Sequence, residues 1–471
     1  MSYTRPGSYA TASTAPQQPA PTQQGGITFA IGTAPFGTDA PGAIYWSLAD
    51  FQAQYGDAAT NPGYTLPLWA YLYYRQSGPG GLAKGLMVGR VGAVHATLTL
   101  VGATGTTITL TAKPAYAGVA GNAISVVVAA ASGGNQAITV TDANGVIDSG
   151  AAYSVPTATP ATSLLALINS KSTMFTASAA TDGGAYTTGT FTPTGGTTGQ
   201  GAAIGSADIT KSDAFLVNFK ATLDGSMTTA GLLSTDVVAQ SANYSKPCVG
   251  VTGPALGTST ATITTNLGTL TTNTGRMAYI AHDGLRITSP ATGAPIVVDG
   301  FYGSAILCGV KCSSDPGEPA TNKPISAVLG VNTPLQPSDE STLAGDGGTV
   351  FTGGYAAGAS GLVIMDSVTT TTAATNPLWN KLVNVTSVDE VVNRLSAWDA
   401  VNVVGKRGGN KTSQIITVGW TAALLRAVAD NIIDAFSPVQ PGAQVGNTIP
   451  VPLGLTANGE ADIVNIPVTV S

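Results

Sequence analysis

The stretch between residues 44 and 91 constrains the fold most, because it places two short helices before a buried strand. Ser47 can cap the first helix, and the apolar residues behind it share one face until Gly56 ends it. The second helix carries Pro67 in its first turn, where a missing N–H costs nothing. A glycine-rich break at 78–81 then leads into a β run. Such elements build a packed α/β core and bring no catalytic residues with them.

This order of elements resembles the N-terminal core of contractile-tail sheath proteins, the family of myophage tail sheaths, R-type pyocins and related injection machines. The matching residues read SLADFQAQYG and then PLWAYLYYRQSGPGGLAKGLMVGRV. The family usually has Asn-Gly-Gly where this chain has Gly78-Pro79-Gly80-Gly81. The resemblance implies an α+β fold class: a mixed α/β sheath core that is discontinuous in sequence, an inserted all-β outer domain, and extended N- and C-terminal arms.

Charged side chains are scarce, and the net charge argues against one class of partner, nucleic acid. They make up 9% of the 471 residues, against about 25% in a typical soluble domain. We infer that other subunits cover much of the surface; a Thr-, Ala- and Gly-rich β protein that stays soluble through its hydroxyls is the alternative. The net charge of −6, without a basic stripe, argues against nucleic-acid binding.

Neither a disulfide framework nor a membrane segment is predicted. The three cysteines are an odd and widely spaced set. The N-terminus lacks the apolar stretch of a secretory signal, and no apolar run approaches the roughly 18 residues that span a bilayer. We therefore expect a chain made in a reducing cytoplasm and no direct membrane insertion.

Changes of composition divide the chain into five segments. Between 95 and 201, short β runs alternate with Gly, Asn and Asp turns, which predicts a small inserted β-sandwich or barrel. Its sequences GVAGNAISV and TGGTTG resemble boundary turns of the sheath family. The predicted segments are an N-terminal arm (1–25), a first core part (26–94), the inserted β-rich outer domain (95–201), a second core part (202–440) and a C-terminal arm with a terminal strand (441–471).

Within the second core part the pattern predicts mixed α and β structure. We predict a strand over Met277–Ala281 and a helix over Gly303–Cys312, which a Pro-rich loop follows. The clearest predicted helix is Thr421–Phe436, with Ser437-Pro438 after it. The run Gln414–Val418 predicts another strand.

The end of the chain predicts a connecting strand. Its apolar residues alternate strictly, and Pro467, which cannot donate to a ladder, confines the strand to a sheet edge. An isolated strand must pair, either within its own chain or with a neighbour, and the residues leave both open. The resemblance favours the neighbour, since arms of sheath subunits weave adjacent copies together. The predicted connectors are the N-terminal arm through about Ile31, and C-terminal residues Ile463, Val464, Ile466, Val468 and Val470.

The best candidate for chemistry is a false phosphate-binding loop. Residues 401–412 read VNVVGKRGGNKT, but Asn410 stands where a glycine must precede Lys411, and the run behind it predicts a strand instead of a helix. We predict a β-hairpin with a basic patch. The patch comprises Lys406, Arg407 and Lys411, and Glu460 and Asp462 of another subunit are its hypothetical partners.

No catalytic, metal-binding or cofactor-binding residue is predicted. The chain has two histidines, and His282, which follows a strand, is interpreted as a turn residue. Cys308 and Cys312 lie on one side of a predicted helix without further ligands, so they are interpreted as buried thiols.

The resemblance implies a structural subunit that is not an enzyme. Such a subunit polymerises helically, in stacked rings, around an inner tail tube and contracts to drive the tube through a cell envelope. The implied partners are further copies of the chain, the tail tube protein, the baseplate and the tail terminator. The implied location is the virion tail, assembled in the cytoplasm of a bacterial host. The alternative is a β-rich virion adhesin or carbohydrate-binding surface protein, which suits the polar insert.

Overall fold

A computed structural model gives the fold for most of the chain. The described residues are 26–38, 41–78, 80–92, 95–113, 116, 119–195, 202–243, 246–271, 274–353, 361–403, 410–443, 449–457 and 463–470.

The first part of the core follows the predicted order of elements. Ser47 caps its first helix, because its Oγ accepts the backbone N–H of Asp50 at 3.1 Å. On the second helix, Trp69 and Tyr73 are fully buried and stack with their ring centroids 5.0 Å apart. The elements are β1 (Ile27–Gly32), α1 (Leu48–Tyr55), α2 (Thr65–Arg75) and β2 (Gly85–Arg90).

The insert folds as two antiparallel sheets around a core of its own. Its elements are β3 (Thr97–Val101), β4 (Thr107–Ala112), α3 (Val119–Asn122), β5 (Ser125–Val128), β6 (Asn135–Thr141), β7 (Tyr153–Pro156), α4 (Pro160–Lys171), β8 (Phe175–Thr181) and β9 (Gly189–Phe191). The sheets have the orders β3-β4-β8 and β7-β6-β5-β9.

The prediction of an all-β insert is wrong in one respect, since α4 packs into its core. Pro160 opens this helix, and Leu164 and Ile168 stand one turn apart on its buried face. The carboxylate of Asp182 caps it from a distance, accepting the backbone N–H of Ala161 at 2.7 Å.

The second part of the core alternates strands and helices. Its elements are α5 (Ser206–Ile209), β10 (Phe219–Thr222), α6 (Met227–Asn243), β11 (Val249–Thr252), α7 (Thr260–Leu270), β12 (Met277–Ile280), β13 (Gly284–Thr288), β14 (Pro295–Asp299), α8 (Gly303–Cys312), β15 (Pro324–Ile325), β16 (Gly330–Val331), α9 (Pro337–Gly345), β17 (Gly348–Gly353) and β18 (Leu362–Asp366). The predicted helix Gly303–Cys312 is confirmed as α8.

An eight-stranded sheet of order β15-β18-β17-β12-β11-β10-β1-β2 joins the two parts. The strand β1 runs parallel to both of its neighbours, β10 and β2. Segments on either side of the insert therefore share one sheet, which is the discontinuous core that the fold class predicted. Apolar clusters cover both faces of this sheet, as buried parallel strands require.

The C-terminal module, as we name residues 382–470, consists of α10 (Leu382–Asn402), α11 (Asn410–Ala429), β19 (Ile433–Phe436), β20 (Ile449–Ala457) and β21 (Ile463–Val470). Its three strands form a separate antiparallel sheet in the order β19-β20-β21. Its two helices and this sheet enclose a third apolar cluster.

Two sequence predictions in this module are wrong. The predicted strand Gln414–Val418 lies inside α11, and the predicted helix over Thr421–Phe436 ends early because Asn431, at φ 54°, turns the chain into β19. Residues 404–409 lie outside the described residues, but helices flank them on both sides, so the predicted β-hairpin is also wrong.

Candidate assembly interface

The terminal strand forms a long hairpin with the strand before it. Antiparallel pairing runs from Ile449 opposite Val470 to Thr456 opposite Ile463. The single chain thus shows the intrachain pairing, one of the two that the sequence left open.

The register of this hairpin pairs the alternating residues of the terminal strand with alternating residues of β20. On β20, Val451, Leu453 and Leu455 are at most 2% exposed. Each of these positions is paired with an apolar residue of β21. The alternating apolar residues of β21 are Val464, Ile466, Val468 and Val470, opposite Leu455, Leu453, Val451 and Ile449.

The strand β21 lies at the edge of its sheet. Among the described residues it pairs with β20 alone, and Pro467 stands opposite Pro452. The prediction that Pro467 confines this strand to an edge is confirmed. A strand with a single hydrogen-bonded neighbour can leave that neighbour without breaking the rest of a sheet.

A buried polar pair fixes the two helices of the module against each other. The indole Nε1–H of Trp420 donates to Asp399 Oδ1 at 2.8 Å. Burial raises the pKa of the Asp399 carboxyl, and the hydrogen bond from Trp420 partly opposes that shift. The pair orients α11 on α10 because Trp420 is fully buried while Asp399 is 8% exposed.

An ion pair and a hydrogen bond connect the module to the core. Arg276 Nη1 lies 2.6 Å from Asp389 Oδ2, and the Thr386 hydroxyl donates to the Pro316 carbonyl at 2.9 Å. Beside these contacts lies a cavity of about 310 Å³. Gly26 and, on α10, Asn393, Arg394 and Ala397 are among its lining residues.

The structure places the predicted connector residues in different environments. Ile31 lies in β1 and is 0% exposed, so the prediction that places it in an arm is wrong. Two hydrogen-bonded strands hold it inside its own subunit. Lys411 lies in α11, which leaves the predicted basic patch without its hairpin. Lys406, Arg407, Glu460 and Asp462 lie outside the described residues.

His282 lies in the short connection between β12 and β13, as interpreted, but it is buried there. It is 1% exposed, and its Nε2 accepts the backbone N–H of Phe351 at 2.7 Å. Burial lowers its pKa to about 4, so the imidazole is neutral near pH 7. Its ring stacks on Phe351, which gives it a packing role in the core.

No metal centre emerges from the described residues, where no group of three or more His, Cys, Asp or Glu side chains could hold an ion. The three cysteines are free and buried, as predicted for Cys308 and Cys312. Within the same residues, every helix is too short or too polar to cross a bilayer.

Sequence reasoning missed an exposed apolar surface on α11. The outer stripe, as we name it, consists of Ile415, Val418, Ala422 and Leu425. Ile415, Val418 and Leu425 are 47%, 71% and 58% exposed. The opposite face of α11 carries buried Ile416, Trp420, Leu424 and Ala427. The sequence did contain a signal for this surface, because apolar residues recur every three or four positions on two faces of the helix. The prediction of a strand over 414–418 meant that this helical spacing was not recognised.

Comparison with known proteins finds likeness in structure alone. No protein-family model and no curated protein matches the sequence. A sheath tail protein from Listeria innocua shares a TM-score of 0.66 at 13% identity, with 95% of each chain covered. A sheath tail protein from Desulfitobacterium hafniense gives 0.61 at 13% identity, over 98% of this chain and 100% of that one. The helical sheath of the anti-feeding prophage in its contracted state gives 0.51 at 11% identity, with both chains fully covered.

These likenesses extend over nearly the whole chain, including the insert and the C-terminal module. At such low identity they are likenesses of fold. The chain has the fold of the contractile-tail sheath proteins.

Proposed function

We propose that this protein is the structural subunit of a contractile tail sheath, and that its copies are joined through exchange of β21. The observation that carries the proposal is an edge strand at the end of the chain, paired with one neighbour in an antiparallel hairpin. The shared fold with sheath proteins supports the same reading.

Exchange of β21 costs little because it is a domain swap. A second copy's β21 can pair with β20 in the same register, so every ladder hydrogen bond is made again. Each subunit gives a strand and receives one. The exchange therefore leaves the number of ladder hydrogen bonds unchanged, and it holds neighbouring subunits together while their other contacts change.

Contraction in this proposal draws on free energy stored between subunits. A metastable long form shortens when subunits slide and rotate into contacts that bury more apolar surface. No nucleotide hydrolysis and no active site is needed. The scarcity of charge, 9% of residues, suits a surface that repeated copies cover.

The proposal also names partners. The rings of this subunit surround an inner tail tube protein, meet a baseplate at one end and a tail terminator at the other. The sheath is assembled in the cytoplasm of a bacterial host and becomes part of the virion tail. A baseplate of the anti-feeding prophage contains a chain of this fold, with a TM-score of 0.52.

A disulfide between opposed positions tests strand exchange directly. Pro450 is exposed and stands opposite Thr469, and such residues have Cβ atoms about 4.5–5.5 Å apart, near the distance that a disulfide spans. The double variant Pro450→Cys, Thr469→Cys is oxidised after polymerisation. We expect covalent ladders of subunits from polymers and intrachain links from monomers.

The matched control pairs Pro450→Cys with Asn465→Cys, which stands opposite Gly454 and so about 13 Å out of register. It should form no ladder. Polymers of the first variant that contain only intrachain disulfides would show that β21 remains paired with β20 of its own chain. Electron microscopy that finds no tubes or rings under any condition would remove the sheath role itself.

A further inference from the structure

The outer stripe of α11 is an unusual surface for a free subunit. It presents large aliphatic residues at helical spacing, and Val418 among them is 71% exposed. Contiguous apolar surface of this kind normally marks a contact. The same helix already buries its other face in the module, so the stripe is a second packing face without a partner among the described residues.

At one end of the stripe lies an open groove with an aromatic wall. The groove has a volume of about 520 Å³, and its lining residues are Trp398, Gln414, Ile415, Val418 and Gly419. The ring of Trp398 lies so close over Gly419 that no side chain fits there. None of the described lining residues is charged. Its shape and chemistry suit an uncharged, proline-containing segment.

The chain itself supplies such a segment close by. Gly26, the first described residue, lines the cavity that Arg394 of α10 also lines. Trp398 is four residues further along α10, hence on the same face and about 6 Å away along the axis. The cavity at Gly26 and the groove are therefore lined by successive residues of α10, Ala397 and Trp398.

The composition of residues 1–25 matches the groove. The segment contains Pro6, Pro16, Pro19 and Pro21, and Arg5 is its one charged residue. Proline-rich segments favour the polyproline II helix, which docks on aromatic-lined grooves at low entropic cost. At about 3.1 Å per residue, 25 residues reach up to about 75 Å, far more than the length of the stripe.

We propose that residues 1–25 of the same chain cover the groove and the outer stripe of α11 in the free subunit. The segment shields apolar surface from other molecules until assembly displaces it. This inference concerns the monomer and stands whether or not the protein forms a sheath.

Photo-crosslinking of the full-length monomer tests the contact. A benzoylphenylalanine replaces Val418, and the products are mapped by mass spectrometry. We expect links to residues 1–25 of the same chain, with a yield that does not change over about a hundredfold dilution, because an intramolecular contact has a fixed effective concentration. The same group at Val146, which is 56% exposed in the insert, should give no such links.

Two proline-directed variants sharpen the test in the full chain. Replacing Pro16, Pro19 and Pro21 by alanine should lower the cross-link yield severalfold, whereas replacing Gln17, Gln18 and Gln23 by alanine should leave it unchanged. Links from Val418 to a second copy, with a yield that falls on dilution, would overturn the proposal. So would a pattern of links that contains no residue from 1–25.

Discussion

The strands β1 and β21 lie near opposite ends of the described chain, and both fall in segments predicted to connect subunits. The first has hydrogen-bonded neighbours on both sides and carries fully buried Phe29 and Ile31. The second has one neighbour and sits at the edge of a three-stranded sheet. Both are apolar, so composition does not separate them.

The difference lies in what each strand costs to remove. Extracting β1 would break two ladders and open the largest core of the molecule, because α2 and α8 contribute to the same cluster. Extracting β21 would break one ladder, and an identical strand can rebuild it. A strand can serve as a connector when its pairing is replaceable, and this depends on its place in the sheet.

Deletion of each strand should give the largest contrast. We expect a chain without residues 1–32 to fail to fold, since β1 lies between β10 and β2. A chain without residues 461–471 should remain folded and lose polymerisation. Circular dichroism with thermal melting measures the first effect, and negative-stain microscopy measures the second. A polymer formed by the C-terminally truncated chain would contradict the role of β21.

Truncation of one buried ring should destabilise the core by several kcal/mol. Phe29 is 0% exposed and its ring packs on Gly89 of β2. We expect Phe29→Ala to lower the free energy of unfolding by about 3–5 kcal/mol. Phe36→Ala, at a residue 36% exposed, is the matched control and should cost far less. Urea denaturation followed by tryptophan fluorescence gives both values, and equal losses would disprove the contrast.

The core should also lose stability in acid through His282. Its pKa is lowered to about 4 by burial, against about 6.5 when unfolded, so the unfolded chain binds the proton first. Above about pH 6.5, protonation of His282 therefore has no effect on the free energy of unfolding. As the pH drops to about 4, this free energy falls by about 3 kcal/mol. His282→Gln, which can still accept the Phe351 N–H, should remove this part of the pH dependence. Unfolding measured across that range in both proteins checks it.

The smallest expected effect concerns the helices of the C-terminal module. Trp420→Phe removes the donor to Asp399 and leaves a buried carboxylate without it, which should cost about 1–3 kcal/mol at pH 7. The hydrogen bond favours the charged form, so its loss raises the pKa of Asp399 further, and the cost should shrink as the pH falls and the carboxyl protonates. Denaturation at two pH values tests this. Asp399→Asn is the control, since it removes the titrating group and should show no such pH dependence.

Local patterns predicted the elements that a single segment defines. The cap at Ser47, the helix Gly303–Cys312 and the edge position of Pro467 all follow from capping, periodicity and the missing N–H of proline. Prediction was wrong where two patterns overlap. Along α11, apolar residues on two faces blur the helical period, so Gln414–Val418 resembled a strand.

The candidate site was only partly predictable for the same reason. The sequence pointed to the terminal strand as a connector but gave no sign of its partner, because both pairings satisfy the same alternation. It also missed the outer stripe, since exposure depends on which of two apolar faces finds a core. For His282, the neighbouring Phe351 amide is 69 residues away along the chain, beyond any local pattern.

The sequence by itself determined the fold class, the helix that Ser47 caps, the insertion between two core parts and an edge strand at the end of the chain. Only the tertiary structure decided that β1 is an interior strand while β21 is an edge strand, and that α11 keeps an apolar face exposed. The physical reason is that propensity and periodicity act over one or two turns, whereas the number of neighbours a strand or face acquires depends on segments hundreds of residues apart.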